Sequence, residues 1–179
     1  MPDKLEIIDT TPELLETIIT AFGSKEEKNL ARQIVKCFTD NGLPVKIKQY
    51  HQECMKGTFR ILCFIKKSTE AVIINNRGMG HDGVSFQVRL DDRSTLSKLD
   101  DLSENIRNQI LNSRNCGNCS SKCENKKYVF SYNKKKYSKC RYLCSNFSFL
   151  ELNKADNICL MNIIKNEIIH KQTGKTIQK

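Results

Sequence analysis

The sequence is poor in the residues that break or loosen a chain, with three prolines and eight glycines. That scarcity excludes a collagen-like, linker-like or low-complexity polypeptide. Long apolar runs are also missing. The longest, 61–65 and 71–74, are far short of the about 20 residues that cross a bilayer, so no membrane partner is expected. The opening residues Met1-Pro2-Asp3-Lys4-Leu5-Glu6 show neither a basic flank leading into an apolar stretch nor a small-residue cleavage site, which argues against a signal peptide.

Catalytic signatures are equally thin. The segment Gly78-Met79-Gly80-His81-Asp82-Gly83 is rich in glycine, but it lacks the Lys-Ser/Thr ending of a phosphate loop and precedes a strand pattern. His51 and Cys54 stand three apart, and one such pair does not make a metal site. Asp91-Asp92 and Asp100-Asp101 lie near a helix start, where the helix dipole accounts for them. No Ser-His-Asp or Cys-His arrangement is legible. These absences point to a protein that is not an enzyme, with a small-molecule enzyme of unrecognised site as one alternative.

What is present is a globular composition, 39% hydrophobic and 28% charged over 179 residues, enough for a real core. Nine cysteines stand out, and five of them fall at Cys116, Cys119, Cys123, Cys140 and Cys144. Secreted disulfide scaffolds are shorter and carry even numbers of cysteine, so an odd, clustered set reads as metal ligation in a reducing, cytoplasmic setting. A C-x-x-C turn brings two sulfurs to one ion, and Gly117 eases the backbone through it. A third thiolate at Cys123 and a fourth from the later segment complete a tetrahedron. With no histidine between His81 and His170, the site is closed and structural, leaving no open position for water. Zinc is the expected ion; an iron–sulfur cluster, which also takes four thiolates, is the alternative.

Five sulfurs are one too many. On an extended strand the α-carbons of Cys140 and Cys144 lie about 13 Å apart, too far to share one zinc. On a helical turn they lie about 6 Å apart and both can ligate. Cys116, Cys119, Cys123 and Cys140 form the preferred set, with Cys144 in reserve. Cys37, Cys63 and Cys159 sit on apolar faces and read as small core residues.

The formal charge of +10 is unevenly spread. Residues 1–30 hold seven acids against three lysines, whereas 114–141 hold nine bases against Glu124 alone. Those bases are Arg114, Lys122, Lys126, Lys127, Lys134, Lys135, Lys136, Lys139 and Arg141. Such a patch attracts polyanions, and interleaved Tyr128, Phe130, Tyr132, Tyr137 and Tyr142 could stack on bases, so nucleic acid is a second candidate partner. Part of the excess instead balances the charge of a thiolate-bound ion.

Periodicity predicts an α+β fold with antiparallel sheet. An N-terminal helical pair fills 1–43: Thr11-Pro12 starts the first helix and the capping box Ser24-Lys25-Glu26-Glu27 starts the second. Strand patterns follow at 45–50, 58–67, 70–75 and 84–90, then a helix carrying Leu96, Leu99, Leu102, Ile106 and Ile110 on one face. These make a β-β-β-α unit over 44–113. Residues 114–170 repeat the layout around the cysteine-rich insert: a hairpin across Asn133-Lys134-Lys135, a strand at 147–152, and a helix capped by Asp156 with Ile158, Met161, Ile164 and Ile168 inward. The two units are a candidate duplication, the groove between them a candidate pocket for a small ligand or protein partner. The pattern is lost in the tail, 171–179.

Overall fold

A computed structural model describes residues 6–49, 59–66, 69–75, 83–90, 93–115, 127–140 and 147–173. The fold is α+β, with an antiparallel sheet and several helices. A short strand β1 (Glu6–Ile8) leads into α1 (Pro12–Thr20) and α2 (Lys25–Asp40). Thr11 caps α1 by accepting from the Leu14 amide, with Pro12 at the first helical position where its missing N–H costs nothing. At α2 the reciprocal box is complete: Ser24 accepts from the Glu27 amide and Glu27 accepts from the Ser24 amide. Glu27 also accepts from the Val84 amide at 3.4 Å, tying the helix start to the entry of a strand. A side chain at position 23 would meet Glu27 Oε2 at 3.0 Å, so this box is built against a glycine.

The strands β2 (Val45–Gln49), β3 (Phe59–Lys66), β4 (Thr69–Asn75) and β5 (Ser85–Val88) follow as a meander. β1 pairs with β2, and β5 pairs with β8 (Phe147–Phe149), giving the order β1-β2-β3-β4-β5-β8 with every neighbour antiparallel. The helices cover one face. Ile47, Ile61, Cys63, Val72, Ile74, Phe86, Val88, Phe147 and Phe149 share one core with Leu30, Ile34 and Phe38 of α2 and with residues of the later helices. Alternation is absent from the centre of β3 and β4 because both faces are covered there: Leu62, Phe64 and Ile73 form a second buried cluster.

Between β5 and β8 the chain makes α3 (Arg93–Ser97), a 3-10 turn (Leu99–Asp101), α4 (Glu104–Asn112), and a separate two-stranded sheet of β6 (Lys127–Tyr132) and β7 (Lys135–Cys140). The long helix α5 (Lys154–Thr173) closes the structure over α2 and α4. Two details differ from the sequence reading. The expected single helix through Leu96 and Ile110 is broken, because Leu102 turns extended and Ser103 restarts α4. The expected second three-stranded unit does not form a sheet of its own, since β8 adds to β5 as the sixth strand.

Candidate functional site

The β6–β7 hairpin carries Cys140 of the cysteine set and Lys127, Lys134, Lys135, Lys136 and Lys139 of the basic patch. Its turn residues Asn133 and Lys134 have φ of 47° and 63°, the pair of positive angles of a type I′ turn, whose twist matches that of the strands it joins. Direct pairing of Tyr128 with Lys139, Phe130 with Tyr137 and Tyr132 with Lys135 sets these six residues on one face. That face is turned inward except at the turn, where Lys135 is exposed. Tyr128 and Phe130 are buried; Tyr128 meets Phe147 with ring centroids 5.2 Å apart, and Phe130 stacks on Tyr137 at 5.3 Å. The Tyr132 hydroxyl donates to Asp100 Oδ1 at 2.9 Å, and Arg107 lies over its ring. Tyr128 and Phe130 are therefore core, not a stacking platform.

Lys139 is turned inward too, only 2% exposed. Its ammonium donates to the carbonyls of Leu111 and Ser113 at 2.5 and 2.7 Å and to Asn115 Oδ1 at 2.9 Å. It thus closes the C-terminal end of α4, where unpaired carbonyls and the helix dipole favour a cation. Burial, and then the neighbouring Lys135 charge, push its pKa below that of an ordinary lysine. Of the other bases in the patch, Arg114, Lys134, Lys135 and Lys136 are exposed and Lys127 is half-buried. Lys122, Lys126, Arg141 and Tyr142 lie outside the described residues.

Cys116, Cys119, Cys123 and Cys144 also lie outside the described residues, as do His51, Cys54 and the glycines from 78 to 80. What is described is where the cysteine-bearing chain leaves and returns. It leaves at Asn115, which forms an antiparallel bridge with Lys139, and returns at Lys127, which pairs with Cys140. Both ends of 116–126 are thus fixed to the last two residues of β7, one on each edge, about 10 Å apart at twice the ordinary strand spacing. Among the described residues no three His, Cys, Asp or Glu side chains are placed to hold a metal ion.

The other three cysteines behave as packing groups rather than ligands. Cys63 is fully buried in the core, and burial pushes its thiol far up; burial also raises that of Cys37, which packs against the core from α2. Cys159 is half-buried and lines a groove.

That groove, about 500 Å³, runs between α5 and the chain from α3 to the start of α4. Its walls carry Lys98, Asp101 and Leu102 on one side and Ile158, Asn162 and Asn166 on the other. Ile158 corrects the expected inward stripe: it is 59% exposed, whereas Met161, Ile164 and Ile168 are buried as expected. At one end of the groove lies a polar network that sequence reasoning missed. Asp156, 1% exposed, accepts from Ser103 Oγ at 2.6 Å, Asn105 Nδ2 at 2.9 Å and the Asn153 amide at 3.1 Å. Asn153 accepts in return from the Asp156 amide, so Asn153 and Asp156 form a reciprocal cap whose acid is one methylene shorter than in the usual Ser-x-x-Glu. Burial pushes the Asp156 carboxyl up, but the hydrogen bonds from Asn105, Ser103 and Asn153 outweigh it and hold it below the ordinary aspartate value. The Asn-x-x-Asp spacing was the available signal.

No family model matches this chain, and no curated protein or solved structure matches it. Among the described residues no helix is long and apolar enough to cross a membrane.

Proposed function

We propose that this chain is a non-enzymatic binding or regulatory domain whose β6–β7 hairpin is braced by one structural zinc ion, held by Cys116, Cys119, Cys123 and Cys140. One observation carries the reading: Asn115 and Lys127, which bound the segment bearing three of those cysteines, both pair at the end of β7 that terminates in Cys140. A segment anchored at both ends beside the fourth thiolate has little closure entropy left to lose when it gathers round one ion. The hairpin itself is two strands only, too small to be stable alone, and a zinc knot supplies folding energy at the point where its pairing ends. The buried Lys139 supports this account, since it ties the same end of the hairpin to α4.

Zinc content of protein purified without chelator tests the reading. The expected result is about one zinc per chain, lost in Cys116→Ser, Cys119→Ser and Cys140→Ser and kept in Cys37→Ser, Cys159→Ser and Cys144→Ser. Retention in Cys140→Ser with loss in Cys144→Ser would move the fourth ligand to Cys144. Brown protein with iron and inorganic sulfide would replace zinc by a cluster. No metal, with Cys116 and Cys119 freely alkylated in folded protein, would overturn the proposal.

A further inference from the structure

The β6–β7 sheet has two strands, so one edge of β6 has no neighbouring strand among the described residues. In a two-residue turn the closing pair, Tyr132 with Lys135, exchanges both of its hydrogen bonds, and the pattern alternates from there. Phe130 with Tyr137 and Tyr128 with Lys139 are then the bonded pairs. Val129 and Ser131 turn their N–H and C=O groups to the open edge, where no backbone partner meets them among the described residues. A cavity of about 310 Å³ runs there, lined by Leu96 and Ser97 of α3 and by Tyr128, Val129, Phe130 and Ser131. Successive side chains of a strand point to opposite faces, so four in a row around one cavity place it along the strand's edge. β6 has no proline and no bulge, two devices that blunt an edge against pairing.

Donors and acceptors in alternation are the complement of another extended main chain. A phosphodiester brings acceptors alone and leaves both carbonyls unmet, which sets nucleic acid aside. Charge then selects the kind of peptide. The hairpin holds five lysines and no acid over 127–140. Two of them, Lys127 and Lys136, share the outer face with Val129 and Ser131, since Lys136 pairs directly with Ser131. A second copy of this chain would set those lysines against their own kind. We propose that the open edge of β6 binds an acidic, extended segment of a partner protein as an added antiparallel strand. Its acids lie on the face of Lys127 and Lys136, and its alternate, apolar side chains face the buried Leu96. This names the partner class for the binding domain proposed above and rests on that reading, but not on the metal.

The probe is a labelled octapeptide of alternating glutamate and valine, titrated with the full chain by fluorescence anisotropy. Residues directly opposite Val129 and Ser131 share their face and bond to them, so these are the glutamates. N-methylation of the glutamate amides should weaken binding about ten-fold or more, and N-methylation of the valine amides less than about two-fold. Val129→Pro removes one outward N–H and no bond to β7, and should weaken binding about ten-fold. Lys127→Glu/Lys136→Glu keeps every main-chain group and should transfer preference to a lysine–valine octapeptide, which the parent should not bind. Lys165→Glu, exposed on α5, should change nothing. No binding by the parent, equal loss from the two methylations, or an unchanged preference in the double variant would each overturn the proposal. So would an oligothymidylate that binds more tightly than the peptide and displaces it, or a dimer that Val129→Pro dissociates. Cleavage of the bound peptide would support the edge site and overturn instead the non-enzymatic reading.

Discussion

At the scale of single residues, two buried charges, Asp156 and Lys139, each join separate elements. Asp156 serves the N-termini of α4 and α5 at once, and Ser103 is free to reach it because its hydroxyl makes no cap bond within α4. Asp156→Asn places an amide donor among groups that all donate, and should cost about 2–3 kcal/mol in urea unfolding at neutral pH. Because the folded carboxyl titrates below its unfolded value, the stability it contributes is present above about pH 4 and drains as pH falls through the folded pKa. Parent and Asp156→Asn stabilities should therefore converge on acidification. A constant gap down to acid pH would contradict this assignment. Lys139→Met, which keeps the stem and removes the donor, should cost about 1–3 kcal/mol and speed amide exchange in the last turn of α4.

At the scale of elements, local chemistry decided most of what the sequence could reveal. The N-caps Thr11 and Ser24, the period of α2, and the alternation of β2 are short-range signals, and each is realised where expected. So is the hairpin, since Asn133 accepts a left-handed conformation readily. Lys134 does not accept one without cost, so Lys134→Gly should stabilise the protein by about 0.5–1 kcal/mol, seen as a higher midpoint in thermal unfolding. A lower midpoint would show that the Lys134 side chain holds the turn. The misreadings are long-range. The direction in which Ile158 points follows from how α5 sits on α2 and α4, which no window of sequence contains. The inward set of Lys139 follows from the α4 carbonyls it meets, twenty-six and twenty-eight residues away. Strand β1 was missed because three residues carry too short a pattern; it exists through its pairing with β2.

At the scale of the molecule, one sheet gathers strands from both halves of the chain, and β8 reaches β5 only after α3, α4 and the β6–β7 hairpin have been laid down. The hairpin stands outside that sheet; Tyr128 meets Phe147 of β8, and Tyr128 and Phe130 belong to the shared core. If the proposed zinc site is there, the hairpin's stability should depend on it more than that of the sheet does, a difference hydrogen exchange can read residue by residue. The most direct measurement is amide exchange of the zinc-loaded protein before and after chelation. The account predicts that chelation strips protection from the paired residues of β6 and β7, such as Val129 and Ser138, while Leu62, Ile73 and their β3–β4 neighbours stay protected. Unchanged protection of β6 and β7 after complete removal of zinc would contradict it.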